Sequence, residues 1–368
     1  MKITILKENL SKGLNIISRV VSTRGSLEVL GNVLLKTKKG QLSLSATNLE
    51  VGINYIVGAK VESEGAITVP ARLFTEFVNS LPGEKITLEL KGDTLLTKAG
   101  NYNSEIKGIS ADEFPLIPEI KTNKTFSVKA GKLKEAINLV SFAAALDDSR
   151  PVLAGVYLKI DGSKITLAAT DSYRLAEKVM ALDTKNAQKA EFIIPARTMM
   201  ELARILGELD SDSLVSVYSS ENQVLFEADG LDFISRLIEG QFPNYKQIIP
   251  EGAETTAKIK RDELTNAVKV ASLFARENAN SLKVAVKAKG RVEIDSQASQ
   301  VGNTKTEILT EVQGKDSEAS FNGKYILDAL GAMKENEVTL QINGKLTAGV
   351  IKGAKDKGYI YIIMPLRN

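Results

Sequence analysis

Alternating apolar and polar positions predict a β-hairpin near the middle of the chain. Apolar side chains occupy every second position of residues 156–160 and again of residues 165–167, which is the period of a strand with one buried face. Between them, Asp161-Gly162-Ser163 is a turn sequence in which glycine can adopt a positive φ. The polar run Thr170-Asp171-Ser172-Tyr173-Arg174 follows. A strand does not need this mixture of a hydroxyl, an acid, an aromatic ring and a cation, so it marks a candidate site.

Six segments have the helical period instead, with apolar residues recurring three or four positions apart. Each is expected to form a helix that places one apolar face on a core. The six stripes are Leu10, Leu14, Ile17 and Val21; Leu73, Phe77, Val78 and Leu81; Leu133, Ile137, Val140 and Ala144; Met199, Leu202, Ala203 and Leu206; Leu264, Val268, Ala271 and Ala275; and Leu327, Leu330 and Met333.

The strands and helices recur as an internal repeat, which determines the fold class. Residues 29–36 match residues 152–159, and residues 42–48 match residues 165–171, with the same offset from Asn48 to Asp171 as from Leu10 to Leu133. A third, weaker copy begins after Phe242-Pro243. We therefore predict an α+β protein of three tandem domains, 1–119, 120–251 and 252–368, each with two helices and about eight antiparallel strands.

Only the second copy has the complete polar sequence after its hairpin. The first copy has Thr47-Asn48-Leu49-Glu50, and the third has Ala298-Ser299-Gln300 at the corresponding place. A scaffold repeated three times, with the complete polar sequence in only one copy, predicts a structural role shared by all three copies and a functional site in the second.

Composition excludes several kinds of chemistry. The 368 residues include no cysteine and no histidine, which excludes disulfides, thiolate nucleophiles, Cys/His zinc sites and histidine acid–base catalysis. The formal net charge is only +3, so any contact with DNA must come from locally placed cations. No apolar run approaches the ~20 residues of a membrane helix. Because the first residues already alternate as a strand, no signal peptide is expected, and a cytosolic location is predicted.

Two other functions are compatible with the residues alone. Asp147-Asp148 and Asp210-Ser211-Asp212 could bind Mg²⁺ in an enzyme, although acids in such polar loops usually only stabilise turns. No phosphate-binding loop of the G-x-x-x-x-G-K-[ST] type is present, which disfavours a nucleotide hydrolase. The second alternative is a repeat scaffold that binds proteins and never DNA.

Several motifs, in order along the whole length, resemble one known family. They are Leu30-Gly31-Asn32, Val69-Pro70-Ala71-Arg72, residues 169–176, Phe242-Pro243-Asn244-Tyr245, Phe321-Asn322-Gly323-Lys324-Tyr325 and Met364-Pro365-Leu366-Arg367. Together they resemble the beta subunit of bacterial DNA polymerase III, the sliding clamp family.

The resemblance implies a head-to-tail homodimer in which six domains close a ring around duplex DNA. Helices would line the inner wall, and the ring would tether the replicative polymerase and so confer processivity, without catalysis, metal or cofactor. Its implied partners are duplex DNA, bound without sequence specificity, the polymerase III alpha subunit, the clamp loader, and other polymerases and repair proteins that bind through short linear motifs. The DNA-binding residues implied by position are Arg24, Arg72, Arg150 and Arg197. The alternative for each is a solvated surface charge.

The family also has a pocket for partner peptides on its outer face. An apolar pocket with polar groups at its rim suits an extended peptide with aliphatic or aromatic anchors. Arg150, Arg174 and Arg367 are expected at the rim. The positions implied are Arg150, Leu153, Thr170, Ser172, Tyr173, Arg174, Leu175, Pro243, Ile248, Asn322, Tyr325, Leu346, Ile362, Met364, Pro365, Leu366 and Arg367.

Parts of this pocket have simpler interpretations, and some residues depart from the family pattern. Residues 364–368 could be a frayed tail, and residues 170–175 could be an ordinary turn in which Asp171 accepts backbone N–H bonds. Tyr173, Gln247 and Asn368 differ from the residues common in the family, and these departures concern the rim contacts and not the pocket.

Ring closure is expected to join the first domain of one chain to the third domain of the other. By position, an edge strand containing Ser104 and Ile106 would meet the helix end at Leu273 and Phe274. The alternative is that Leu273 and Phe274 belong to the core of the third domain.

Overall fold

The computed structural model describes residues 1–21, 27–38, 40–120, 122, 124–147, 149–182, 189–298 and 302–367. Its contacts divide the chain into two compact units. The first contains Met1–Lys134 and Glu201–Leu237, and the second contains Glu135–Leu182, Lys189–Met200 and the chain from Ile238 onward.

All six predicted helices are present in the described residues, two in each repeat. They are α1 Lys7–Ile17, α2 Ala71–Ser80, α3 Ala130–Val140, α4 Ala196–Leu206, α5 Arg261–Ala275 and α6 Gly323–Ala332. The apolar stripes predicted longer helices in four cases, because Val21, Leu81, Ala144 and Met333 follow the helix ends. Leu81, Ala144 and Met333 are nevertheless buried, so the periodicity identified core positions better than helix ends.

Twenty-six strands lie in the described residues, all paired antiparallel. In the first repeat they are β1 Lys2–Leu6, β2 Asn32–Lys38, β3 Gln41–Thr47, β4 Val51–Gly58, β5 Lys60–Ser63, β6 Ala66–Pro70, β7 Lys85–Lys91, β8 Thr94–Ala99 and β9 Tyr102–Lys107. In the second they are β10 Lys124–Lys129, β11 Gly155–Asp161, β12 Lys164–Thr170, β13 Arg174–Ala181, β14 Ala190–Pro195, β15 Leu214–Ser219, β16 Gln223–Ala228 and β17 Leu231–Arg236. In the third they are β18 Thr255–Lys260, β19 Ser281–Lys287, β20 Arg291–Ala298, β21 Gly302–Leu309, β22 Glu311–Gly314, β23 Ser317–Asn322, β24 Glu337–Gln341, β25 Gly349–Gly353 and β26 Tyr359–Ile363.

Two sheets form the first unit. One has five strands in the order β5-β1-β7-β8-β9, and the other has eight in the order β10-β15-β16-β17-β4-β3-β2-β6. Helix α1 packs on β3 and β4, and Gly13 lies so close that an added Cβ would stand 2.7 Å from Leu44 Cδ1. A larger residue at this position would therefore require the buried side chain of Leu44 to shift.

Two further sheets form the second unit, and one of them builds the candidate site. Its nine strands run β14-β11-β12-β13-β26-β25-β24-β18-β22, and the four-stranded sheet runs β21-β20-β19-β23. Strand β26 pairs with β13 so that Ile362 stands opposite Leu175 and Ile363 opposite Arg174. The last strand of the third repeat is thereby joined to the polar run of the second.

Candidate functional site

The polar run of the second repeat is a tight turn held by its own side chains. Thr170 Oγ1 donates to the carbonyl of Arg174 at 2.6 Å and accepts from the amide of Ser172 at 3.1 Å. Asp171 Oδ1 accepts from the amides of Tyr173 and Arg174 at 2.9 and 3.0 Å. Ser172 has φ +79°, a conformation that costs energy for a residue with a side chain and is tolerated here because the surrounding bonds hold it. The carboxylate of Asp171 thus organises the start of β13.

The first repeat forms the same turn with other residues. Thr47 Oγ1 donates to the carbonyl of Val51 at 2.8 Å, and Asn48 Oδ1 accepts from the amides of Glu50 and Val51 at 3.0 and 2.8 Å. Leu49, like Ser172, has positive φ, +75°. The turn is therefore a property of the repeat, and an arginine at its end is not needed to form it.

Replacing Asp171 by alanine should lower the free energy of unfolding by about 2–4 kcal/mol, because two backbone donors and the buried guanidinium of Arg174 lose a partner. Asp171→Asn should cost less than half as much, since it keeps the acceptor that Asn48 supplies in the first repeat. Urea unfolding followed by circular dichroism measures both. Equal stability of Asp171→Ala and the unaltered protein would contradict this role.

Arg174 does not lie at an open rim, which corrects the sequence-based expectation. Its side chain is 6% exposed. Nε donates to Asp171 Oδ2 at 3.0 Å and Nη1 to Asp328 Oδ2 at 2.5 Å. The guanidinium carbon lies 4.4 Å from the ring centroid of Tyr325 and 5.6 Å from that of Phe142. Burial opposes the charge, but the bond to Asp328 and the two carboxylates outweigh it and raise the pKa of Arg174, so it is always charged.

The C-terminal segment beyond β26 is held by backbone hydrogen bonds and is not frayed in residues 364–366. The amide of Met364 donates to the carbonyl of Tyr173 at 2.9 Å, and the amide of Leu366 donates to the carbonyl of Ser320 at 2.8 Å. Asn368 lies outside the described residues. The tail therefore borders the turn on one side and β23 on the other.

The predicted pocket residues divide into a buried floor and an exposed margin. Leu153, Thr170, Leu175 and Ile362 are buried, and the last two pack in one cluster with Phe242 and Tyr245. Asn322 and Tyr325 are half-buried at the start of α6, as are Pro365 and Leu366 in the tail. The exposed positions are Arg150, Ser172, Tyr173, Pro243, Ile248, Leu346, Met364 and Arg367.

Several apolar side chains at this margin are exposed. Leu346 is 76% exposed, Ile248 42% and Met364 36%. A cavity of about 340 Å³ is lined by Ser320, Leu346 and Leu366 together with Lys283, Glu318, Ala319 and Lys345. Leu346 and Leu366 at this recess, with polar groups beside them, suit an aliphatic or aromatic anchor.

A buried acid that sequence reasoning missed anchors the segment 242–249. The carboxylate of Glu177 accepts from the hydroxyl of Tyr245 at 2.5 Å and from Lys246 Nζ. The ring of Phe242 stacks on that of Tyr157 with centroids 5.0 Å apart. Burial first, and then the bond to Glu177, raise the pKa of Tyr245 far above its ordinary value. No local sequence signal connects positions 177 and 245, so only the fold could show this anchor.

The arginines expected to contact DNA are on the surface where they are described. Arg72 is the second residue of α2, and its side chain is 84% exposed and pairs with Glu76 at 3.0 Å. Arg197 occupies the corresponding place in α4 and is exposed, and Arg150 is exposed with Nη1 donating to Ser172 Oγ at 3.0 Å. Arg24 lies outside the described residues.

The predicted ring contacts differ in exposure. Ser104 and Ile106 lie on β9, the edge of the five-stranded sheet, but Ile106 is only 6% exposed and faces its own core. Leu273 is 58% exposed and Phe274 is half-buried, so they are not the fully buried core pair of the alternative interpretation. Sequence reasoning missed β21, the eight-residue edge strand of the four-stranded sheet, whose Leu309 is 82% exposed.

The acids that suggested a metal site are used in turns and ion pairs. Asp147 Oδ1 accepts from the amide of Ser149 at 3.0 Å, and Asp210 Oδ1 accepts from the amide of Asp212 at 2.9 Å. Asp212 also pairs with Lys129 Nζ at 2.7 Å, while Asp148 is outside the described residues. In the described part of the chain, no three acidic side chains gather as metal ligands. None of its helices is long and apolar enough to cross a membrane.

Three tandem α+β repeats with antiparallel sheets are the architecture of the DNA clamp class. Family models of the DNA polymerase III beta subunit match the chain as N-terminal domain at residues 1–118, central domain at 127–244 and C-terminal domain at 246–367. The beta sliding clamps of Staphylococcus epidermidis and Bacillus subtilis are 30% and 29% identical to it, with 100% of both chains covered.

Solved structures agree. The Bacillus subtilis sliding clamp matches with a TM-score of 0.93 at 28% identity, covering 100% of this chain and 99% of that one. The Pseudomonas aeruginosa clamp bound to griselimycin matches with 0.94 at 29% identity and full coverage of both. The chain belongs to the bacterial DNA polymerase III beta subunit family, and it is a non-catalytic sliding clamp that confers processivity in DNA replication.

Proposed function

We propose that two copies of this chain close head to tail into a ring around duplex DNA. Support comes from two edge strands, β9 and β21, each of which pairs with a strand on one side only. Both have exposed apolar side chains, Tyr102 at 55% and Leu309 at 82%. An unpaired edge with apolar side chains favours pairing with another chain, and this observation carries the proposal. Leu273 and Phe274 would pack beside that junction, with Ser104 on β9.

We propose the domain boundaries 1–119, 120–251 and 252–368 for each chain of this ring, and a cytoplasmic location for the protein.

DNA contacts are assigned to Arg24, Arg72, Arg150 and Arg197. Contacts of this kind reach phosphates without reading sequence, which suits a ring that must slide. A low net charge of +3 is consistent with retention by topology, because a strongly basic ring would bind each register tightly.

We further propose that the surface around Leu346, Met364 and the turn 170–174 binds short linear motifs of partner proteins. The partners are the polymerase alpha subunit, the clamp loader, and other polymerases and repair proteins. Leu175 and Ile362 would support the floor through the cluster they share, and the exposed apolar margin would receive the anchors. Met364 is flexible and polarizable, which lets one surface serve several partners.

Retention on DNA tests the ring directly. After loading by a clamp loader, the protein should stay on nicked circular DNA through gel filtration at high salt and should leave within minutes once the circle is cut to a linear form. Topology predicts this because a closed ring leaves only by an end. The double variant Arg72→Glu and Arg197→Glu should be loaded less well while keeping the same dependence on circularity. Arg150 is left unchanged because it also lies at the proposed peptide site, which the clamp loader would use.

Equal loss from circular and linear DNA would overturn the ring proposal. Unchanged loading of the double variant would overturn the assignment of Arg72 and Arg197 to DNA while leaving the ring intact. Lys164→Glu, a charge reversal at an exposed hairpin position of β12, is the matched control and should behave as the unaltered protein does.

A further inference from the structure

Asp328 on α6 makes the bond that joins the turn of the second repeat to the helix of the third. Its Oδ2 accepts from Arg174 Nη1 at 2.5 Å, across 154 positions of sequence. The pocket residues implied by the family resemblance did not include it. We propose that Asp328, acting through Arg174, is a positioning residue that holds Tyr325 in place as a wall of the peptide site. The proposal rests on the peptide-binding function proposed above.

The repeat itself supplies the comparison that separates this role from turn formation. At the position of Arg174 the first repeat has Val51, and its turn has the same hydrogen bonds and the same positive φ. The guanidinium is therefore not required to shape the turn. Burying a charged group is costly unless it is paired, so its presence in the second repeat requires another explanation. Its contacts outside the turn include Asp328, Tyr325, Phe142 and the hydroxyl of Tyr361.

Two of those contacts, Tyr325 and Asp328, lie in the first two turns of α6, the helix at whose start the predicted pocket residues Asn322 and Tyr325 stand. Asn322 caps the helix by accepting from the amide of Lys324 at 2.9 Å. The ring of Tyr325 lies on the guanidinium, and its carbonyl accepts from the hydroxyl of Tyr361 at 2.9 Å. Arg174 thus contacts the face of Tyr325 while Asp328, one helical turn later, fixes the guanidinium. Arginine suits this place because its planar fork can pair with carboxylates and stack on rings at the same time.

If the bond to Asp328 is lost, the guanidinium keeps Asp171 as its partner, at 3.0 Å from Nε, and the turn remains. What changes is the orientation of the guanidinium plane and, with it, the support of the Tyr325 ring. A peptide anchor that packs on this ring would then lose a preorganised wall, which lowers affinity chiefly through faster dissociation.

The test uses the full-length protein and a fluorescein-labelled Gln-Leu-Ser-Leu-Phe peptide, with affinity measured by fluorescence polarization. Asp328→Asn and Tyr325→Leu should each raise the Kd for the peptide by about tenfold. The double variant should be about as weak as either single variant and not about 100-fold weaker, because both changes remove the same wall. Asp328→Glu should recover most of the affinity.

Matched controls separate this role from general destabilisation. Asp262→Asn removes an acid on α5 that pairs with Arg261 at 2.9 Å and is 82% exposed, and it should leave affinity unchanged. If Asp328→Asn fails to fold, Phe142→Leu serves instead, because it removes one of the two rings that contact the Arg174 guanidinium without changing the charge of the site. Phe142→Leu should weaken binding and should also be non-additive with Tyr325→Leu.

Additive losses in the double variant would assign Asp328 a structural role only and would overturn the proposal. The same conclusion would follow if Asp328→Asn bound the peptide as tightly as the unaltered protein. If the unaltered protein itself did not bind the peptide, both this proposal and the peptide-binding function would fail. If it bound the peptide but the variants gave either of the results above, only the role of Asp328 would be wrong.

Discussion

Replacing Leu273 and Leu309 by glutamate should convert the protein from a dimer to a monomer at micromolar concentration. The native mass should fall from about twice 39.8 kDa to 39.8 kDa. Leu273 is 58% and Leu309 82% exposed in the single chain, and burying a charge at each of two symmetric junctions would cost several kcal/mol per ring. Analytical ultracentrifugation measures the mass, and retention on circular DNA should be lost with it.

A matched control for this variant lies in the first unit. Leu116 is 97% exposed and belongs to neither edge strand, so Leu116→Glu introduces a glutamate at an exposed leucine outside the proposed junction. It should leave the native mass unchanged. A dimer that survived both glutamates at Leu273 and Leu309 would place the contact between chains elsewhere and remove the main support for the head-to-tail arrangement.

Removing residues 364–368 should weaken binding of the same labelled peptide by at least about 100-fold, a loss of roughly 2.7 kcal/mol. The deletion removes the exposed Met364 and both backbone bonds of the tail, to Tyr173 and to Ser320. It leaves β26 intact to Ile363, so the sheet should still fold. Fluorescence polarization gives the affinity, and native mass checks that the dimer persists.

A shorter deletion isolates the part of the tail that matters. Removing residues 367–368 keeps Met364, Pro365 and Leu366, so it should change affinity by less than about threefold, the loss expected for one exposed rim charge. If removing all five residues also had so small an effect, the peptide site would not include the C-terminus, and the proposed role of Met364 in peptide binding would be wrong.

The periodic signals of the chain were sufficient to predict much of the fold. Alternation identified the hairpin of β11 and β12 and the last strand, Tyr359–Ile363. The constant offset between the first two copies, together with a weaker third copy, predicted three repeats. Even the turn at Asp171 could be predicted from its residue types, because an Asx side chain bonds to amides two and three positions away. These features depend on neighbours in sequence, so a local pattern carries them.

Other features were decided only by the tertiary structure. Arg174 was expected at a rim and is buried between two carboxylates and two rings, because the pairing of β13 with β26 brings α6 of the third repeat beside it. Glu177 meets Tyr245 across 68 positions for a similar reason. The open edge at β21 depends on which strands find partners. The local sequence pattern around a charged side chain is the same whether the side chain is solvated or paired. Its role therefore depends on the sheet register and on helices that pack against it from distant parts of the chain, and local sequence patterns do not specify these.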